Sequence, residues 1–413
     1  MVASELVEIE DARRMVLEAV APLPGVAVEL DDALGRVLAE DVAAEQPLPS
    51  FDSSAMDGFA VRAADLASAS GGDPVGLRLV GESRAGRPAQ VALRSGEAIA
   101  ISTGAMIPAG ADAIVRVEQT RRGDGGVQVL CAVDRGADVR HAGDDVAAGT
   151  TVLQRGRALG PAELGMLASL GRAEAICAGL PRVSVLVTGD ELLGPAAPGR
   201  PGAVRDCNSH TIGAMTRRAG AVLVRRATVG DDAHETAAAI AQAVADSDAV
   251  VLCGGVSVGV HDHVRPSLKA LGAEQRFWGL ALKPGHPTWF GTLDGALVFG
   301  LPGNPVSAMV TFALLAGPAL RALQGATAAG EPLTAVLDGG YRKPAGRAHA
   351  VRCRVRARED GWHARPTGSQ GSHVLSSMLG ADALAIVPSA TTDVHDGARV
   401  QIEVLRELGG THA

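Results

Sequence analysis

The 413-residue chain is 47% apolar but only 2% aromatic, so its cores must be assembled from Val, Leu, Ile and Ala. A formal charge of −8 without any Lys/Arg block excludes a nucleic-acid footprint or a membrane-surface patch. The length exceeds what one hydrophobic core organises and implies roughly two to four domains.

In chain order, the N-terminus lacks a basic n-region followed by an apolar core, so no signal peptide is expected and the mature chain should start near residue 1. Ile9, Met15, Val16, Ala19 and Val20, then Leu34, Val37 and Leu38, recur at helical spacing and predict two amphipathic helices. From Pro47 to about Asp145, short runs such as GLRLV, AIAIS, AIVRVE and VQVLCAV between Gly-rich turns predict a β-rich domain. GPAELGMLASLG reads as a helix starting at Pro161 and stopped by Gly171, expected to pack on the first two helices. Residues 1–46 and 147–177 then form a discontinuous helical domain into which residues 47–146 are inserted.

Between residues 178 and 327, strands (VSVLV, AVLVRRATV, DAVVLCGG, ALVFGLPG) alternate with helices starting near Asn208, Asp231 or Asp232, and Val306. This predicts a three-layer α/β domain with a mostly parallel sheet and ligands at the carboxyl ends of the strands. The apolar run from Ser307 to Leu320 contains Gly317 and Pro318, falls short of the ~20 residues needed to cross a bilayer, and reads as a buried helix. Residues 328–413 (AVRCRVRA, ALAIVP, RVQIEV) suggest a small β-barrel. The five cysteines (Cys131, Cys177, Cys207, Cys253, Cys353) are scattered and odd in number, which fits a reducing cytoplasm and neither a disulfide framework nor a zinc ribbon.

Two Gly-rich loops follow predicted strands directly: CGGVSVG (Cys253 to Gly259) and GLPGNP (Gly300 to Pro305). Gly254, Gly255, Ser257 and Gly303 there let backbone N–H groups approach a phosphate, aided by the helix N-termini that follow. In LKPGHP, Lys283 can neutralise an oxyanion while Pro284 and Pro287 fix the backbone. Acidic residues recur beside glycines as Asp57, Asp144, Asp145, Asp190, Glu191, Asp231, Asp232 and Asp262, and can hold Mg²⁺ or act as general bases. Asp231 or Asp232 equally suits a helix N-cap. His261 and His263 form a zinc-like pair that lacks further ligands. GxSxG, Walker A and HExxH motifs are absent.

Taken together, PLPSFDSSAMDGFAV, ISTGAMIPAGADAIVRVE, RHAGDDVAAG, VTGDELL, VRDCNSH, CGGVSVGVHD, LKPGHP, GLPGNPVSA and GSQGSHVLSSM resemble the ordered motif series of the MoeA-type molybdopterin molybdenumtransferases, related to the gephyrin E domain. The resemblance implies an L-shaped homodimer of four-domain subunits whose cleft pairs the β-rich domain of one subunit with the α/β and C-terminal domains of the other. It implies insertion of molybdate into adenylylated molybdopterin with release of AMP and help from Mg²⁺. It also implies exchange with a molybdopterin adenylyltransferase and with molybdenum apoenzymes.

By the same resemblance Asp57, Asp145, Glu191, Asp231 and Asp262 are the functional acids, with Glu191, Asp231 and Asp262 as metal ligands. Thr103, Arg140, Lys283, Pro284, His286 and Pro287 join the glycines in substrate binding, Arg140 and Lys283 receiving molybdate. The chain departs from the family at His286, commonly Lys, at Cys253, commonly Ser or Thr, and at Cys207, commonly Ser. An imidazole at 286 is expected to make anion binding depend on pH. A molybdopterin adenylyltransferase and a non-catalytic scaffold of the gephyrin type are the alternatives. GGVSVG in place of GGTG disfavours the first, and the retained acidic motifs disfavour the second.

Overall fold

The computed structural model describes residues 6–123, 125–257, 259, 262–326, 332–406 and 408. Its centre is the strand Arg182–Thr188, apolar on both faces. Side chains alternate across a strand, so Val183, Val185 and Val187 enter one core with Ile212 and Met215, while Leu186 enters another with Ile240 and Val250. Both faces must be covered. Helices Asn208–Arg218 and Pro305–Thr311 cover the first, and Ala233–Ala245 and Val264–Ala270 the second. Each fully buried Leu, Ile or Phe in these cores contributes roughly 1.5–3 kcal/mol.

The sheet runs Val222–Val229, Arg182–Thr188, Ala249–Cys253, Ala296–Leu301, Trp289–Leu293, Glu274–Trp278. The first four strands are parallel, Trp289–Leu293 runs antiparallel to Ala296–Leu301, and Glu274–Trp278 runs antiparallel to Trp289–Leu293. The carboxyl ends of Arg182–Thr188, Ala249–Cys253 and Ala296–Leu301 therefore lie side by side. Gly317 and Pro318 do not end the last helix as their types suggest. A π-helical turn, Phe312–Ala316, precedes Pro318, the Leu314 carbonyl that Pro318 cannot bond accepts from Arg13 Nε at 3.2 Å, and the helical run continues as Gly317–Leu323. By length and composition Pro305–Leu323 could cross a membrane, but 72% of its apolar window is buried inside the protein.

The N-terminal region departs from the expected helical domain. Ile9–Glu18 is a helix, but Ile9, Ala12 and Val16 pack into the α/β core with Phe312, Leu315 and Leu320. Val7 bonds across to Gly279 and Ala281. The second expected helix does not form. Gly25–Glu29 is a strand paired with Glu174–Ala178, and Gly35, at φ +76°, turns the chain so that Val37 and Leu38 bridge to Ala158 and Cys177. The helix Pro161–Ser169 packs with Leu38, Val42 and Leu153 rather than with Ile9–Glu18.

Within the inserted region a six-stranded sheet runs Ala113–Arg116, Gly58–Val61, Glu97–Ile101, Val75–Ser83, Gly126–Val129, Thr120–Gly123. The C-terminal region closes into a five-stranded barrel: Ala348–Arg358, Gly361–Pro366, Thr334–Leu337, Arg399–Val404, Ala383–Val387 and back to Ala348–Arg358. Closure removes exposed sheet edges. The expected boundary at 327–328 falls outside the described residues.

Leu282–Lys283 leaves the α/β domain to pair with Ala348 and His349 of the barrel. Burial, then the charges of Lys283 and Lys343, push His349 down to about 4, and its Nδ1 lies 3.0 Å from the Tyr341 hydroxyl. A folded-state imidazole that refuses a proton the unfolded chain accepts destabilises the fold as pH falls. We expect stability to decline between about pH 6.5 and about pH 4 through this residue. Urea unfolding at both ends of that window should show a smaller loss for His349→Gln than for wild type, and equal losses would contradict the assignment.

Candidate active site

The carboxyl ends of the three central strands open into a cleft of about 680 Å³. Along its floor run Thr188 and Gly189, the loop from Gly254 to Ser257, and the turn from Pro302 to Pro305. Gly254 sits at φ +94°, and a Cβ there would stand 2.9 Å from the Thr188 carbonyl oxygen. No other residue type fits without moving the strand end. A Cβ on Gly303 would lie 3.6 Å from the Gly254 Cα, so the two loops touch backbone to backbone. Gly254 N–H donates to the Leu301 carbonyl at 3.1 Å, and Asn208 Nδ2 donates to the Gly303 carbonyl at 2.7 Å, which braces both loops.

Carboxylates ring this floor. Asp190 and Asp231 exchange bonds: Asp231 N–H donates to Asp190 Oδ1 at 3.1 Å, and Asp190 N–H donates to Asp231 Oδ2 at 3.4 Å. Asp232, one residue on, accepts from the His234 and Glu235 N–H groups at 2.8 Å each and caps the helix Ala233–Ala245. The choice left open between two adjacent acids is thereby resolved: Asp232 caps and Asp231 lines the cleft. Glu191 is exposed at the base of the flap in which Leu192–Leu193 pairs with Val204–Arg205. Asp262 accepts from Gly259 N–H at 2.8 Å, closing its own turn while lining the cleft.

The structure thus brings together Glu191, Asp231, Asp262, Gly254, Gly255, Ser257, Pro287 and Gly303. The described residues contain no group of three or more His, Cys, Asp or Glu close enough to hold a metal, so Glu191, Asp231 and Asp262 line one cleft without forming a ready-made cage. His261 of the zinc-like pair lies outside the described residues.

Other expected residues stand elsewhere. Lys283 is exposed, and its charge bears on His349 of the barrel. Pro284 is buried behind it. The half-buried His286 has Nδ1 3.2 Å from the Leu280 carbonyl oxygen and its ring 6.3 Å from the Trp278 ring. Neither Lys283 nor His286 lines the cleft, because the barrel-paired strand and the bond to Leu280 turn them from it. In the inserted domain Asp57 Oδ1 accepts from Thr103 N–H at 2.6 Å and from the Thr103 hydroxyl at 3.1 Å. Arg140 pairs with Ser53 in a short ladder, and Asp145 is exposed. None of Asp57, Thr103, Arg140 and Asp145 lines the cleft of its own chain.

Sequence reasoning missed Thr188, Asn208 and Asn304, all cleft residues. The Thr188 hydroxyl is buried without a hydrogen-bond partner among the described residues and points to a polar ligand there. Its only sequence signal is a hydroxyl at the last position of a buried strand. Burial, then the Asp206 charge, raises the Cys207 thiol, and burial pushes the Cys253 thiol up as well. Both stay protonated and unsuited to nucleophilic work.

Residues 7–171 match the MoeA N-terminal region (domain I and II), 184–322 a probable molybdopterin binding domain, and 334–405 the MoeA C-terminal region (domain IV). Molybdopterin molybdenumtransferase 2 of Mycobacterium tuberculosis is 36% identical over 406 residues, covering 95% of this chain and 98% of the relative. The chain belongs to the MoeA family of molybdopterin molybdenumtransferases. A second such relative, from Haemophilus influenzae, is 35% identical over 98% of this chain and 100% of its own length. The solved MoeA protein of Pyrococcus horikosii superposes with a TM-score of 0.85 at 29% identity, over 98% of this chain and 100% of that one. MoeA membership makes the chain a transferase of molybdenum cofactor biosynthesis, and these full-length matches do not favour the adenylyltransferase alternative.

Proposed function

We propose that this chain inserts molybdate into adenylylated molybdopterin with release of AMP, as a homodimer in the cytoplasm. The observation that carries this reading is the convergence of two glycine loops and three carboxylates at the strand ends. The N–H groups of Gly255 and Gly303, with Ser257, offer donors to the phosphates of the adenylylated pterin, while the Gly254 N–H is spent on the Leu301 carbonyl and holds the loop in place. Asn208 keeps those loops in register through Gly303. The Thr188 hydroxyl gains a partner only when a polar group occupies the floor.

Oxygen donors suit Mg²⁺, which takes one or two protein carboxylates and completes its shell with water and substrate phosphate, so the missing three-residue cage is compatible with it. Glu191, Asp231 and Asp262 are the candidates to hold it. When bound it would neutralise charge on the phosphates that are separated when AMP leaves. Asp57 and Thr103, already bonded to each other, would complete the cleft from the second subunit. The decisive assay incubates the protein with adenylylated molybdopterin, Mg²⁺ and molybdate. AMP release that requires molybdate and reconstitutes a molybdenum apoenzyme is expected, whereas ATP consumption without molybdate-dependent AMP would overturn the reading.

A further inference from the structure

A second concavity, of about 400 Å³, lies on the outside of the barrel, away from the glycine loops. Cys353 and Val355 point into the barrel core, so alternation along Ala348–Arg358 turns Arg354, Arg356 and Arg358 outward. The neighbouring strand places Arg365 directly opposite Arg354, and His363 opposite Arg356. Like charges directly opposed across a ladder are destabilising.

The acids nearby are already engaged. Asp338 pairs with Arg358 at 2.6 Å and with His363 at 2.8 Å, and Asp360 pairs with His363 at 2.9 Å. Arg354, Arg356 and Arg365 have no carboxylate within ion-pair distance among the described residues, though all three are exposed. Elsewhere many arginines meet an acid, as Arg116 meets Asp138 at 2.7 Å and Arg225 meets Asp246 at 2.6 Å. An arginine-rich composition alone does not gather three unpaired guanidiniums on one face.

The rim adds an apolar feature. Ser376 and Ser377 line the groove, and their short helix, Ser376–Leu379, ends on Leu379, which is 79% exposed. Gly380 follows, with an Arg354 nitrogen 3.5 Å from where its Cβ would be. We propose that this groove docks an acidic segment of a partner protein, its carboxylates on Arg354, Arg356 and Arg365 and an apolar residue on Leu379. Guanidinium forks match carboxylates bidentately. A small phosphate would leave Leu379 uncovered, and a chain of net charge −8 with one short groove offers nucleic acid no extended track. The loop from Thr367 to Ser377 borders the groove and also carries Ser372, which accepts from Asn304 Nδ2 of the catalytic cleft at 3.2 Å. That loop links the groove to the cleft, though the docking itself is independent of the transfer chemistry.

The test is fluorescence anisotropy of the full-length protein with a fluorescein-labelled, glutamate-rich peptide bearing one leucine, alongside its glutamine counterpart, oligothymidylate and inorganic pyrophosphate. We expect the acidic peptide alone to bind well, and to lose about 10-fold or more in affinity in Arg354→Ala/Arg356→Ala/Arg365→Ala and about 3-fold in Leu379→Ala, with AMP release unchanged. The single variant Arg356→Glu supplies the same reading should the triple variant fold poorly. Unchanged peptide affinity in the variants, equal binding of the glutamine peptide or oligothymidylate, or displacement by pyrophosphate at the peptide's own concentration would each overturn the proposal.

Discussion

Asp262→Asn is expected to lower molybdate-dependent AMP release by about 100-fold or more while leaving the fold nearly untouched, because the substitution separates the two roles of this residue. The turn role is a single accepted bond from Gly259 N–H at 2.8 Å, which an asparagine Oδ1 also accepts. The cleft role depends on negative charge, which asparagine lacks, and losing one preorganised electrostatic contact at a reacting phosphate commonly costs about 100- to 1000-fold in turnover. The melting temperature should move by less than about 2 °C, a shift below about 1 kcal/mol in a chain of this size. Asp262→Ala removes both roles and should cost about a further 1 kcal/mol of stability. If Asp262→Asn keeps full activity, the carboxylate is only a turn-former and the metal or phosphate contacts lie with Glu191 and Asp231.

Mixing two inactive variants should restore activity. Asp57 and Thr103 sit in the inserted domain and line no part of their own chain's cleft, whereas Asp231 and Asp262 line it. If the active cleft joins two subunits, Asp57→Asn and Asp262→Asn homodimers are each impaired at both clefts. A heterodimer confines both lesions to one cleft and leaves the other intact. Random reassortment of equal amounts makes half the dimers mixed, so about a quarter of wild-type activity should return. Light scattering at twice the 41.9 kDa chain mass is the companion measurement. No recovery in a verified mixed dimer would place Asp57 outside the chemistry or confine each site to one chain.

The four parallel strands and the helices Asn208–Arg218, Ala233–Ala245 and Pro305–Thr311 were legible from apolar runs and a 3.6-residue period, whereas the helix Val264–Ala270 and the antiparallel strands Glu274–Trp278 and Trp289–Leu293 were not read from the sequence. The glycine loops were legible for the same reason, since each directly follows a strand. The N-terminal region was not. An amphipathic stripe such as Ile9, Ala12 and Val16 states that a face is buried without stating against what, and here it meets the α/β core. Gly35 was the overlooked signal that the second helix would not form.

Within the site, Asp231 and Asp232 are indistinguishable by type, and it is the pair of N–H bonds that Asp232 accepts from His234 and Glu235 that assigns it to the cap. Lys283 and His286 share a short segment with Pro287, which suggests a shared direction. The register of Lys283 against His349 and the contact of His286 with Leu280 separate them. The opposition of Arg354 and Arg365 was hidden for a related reason, since cross-strand neighbours follow from register rather than from spacing along the chain.

The two-residue strand Leu282–Lys283 also divides the molecule mechanically. By joining the barrel ladder it splints the barrel to the α/β domain, reinforced by the Arg13–Glu403 pair and the Asn304–Ser372 bond. The inserted domain, by contrast, joins the rest of the chain through two chain passes, where Val42–Ala43 pairs with Thr151–Leu153 and Leu48 N–H bonds to the Val146 carbonyl. Any movement of the inserted domain against the rest of the subunit must bend at that neck. On the shared-cleft reading, substitutions that stiffen residues near 44–48 and 146–150 are therefore expected to slow substrate admission and product escape without touching the glycine loops or the carboxylates.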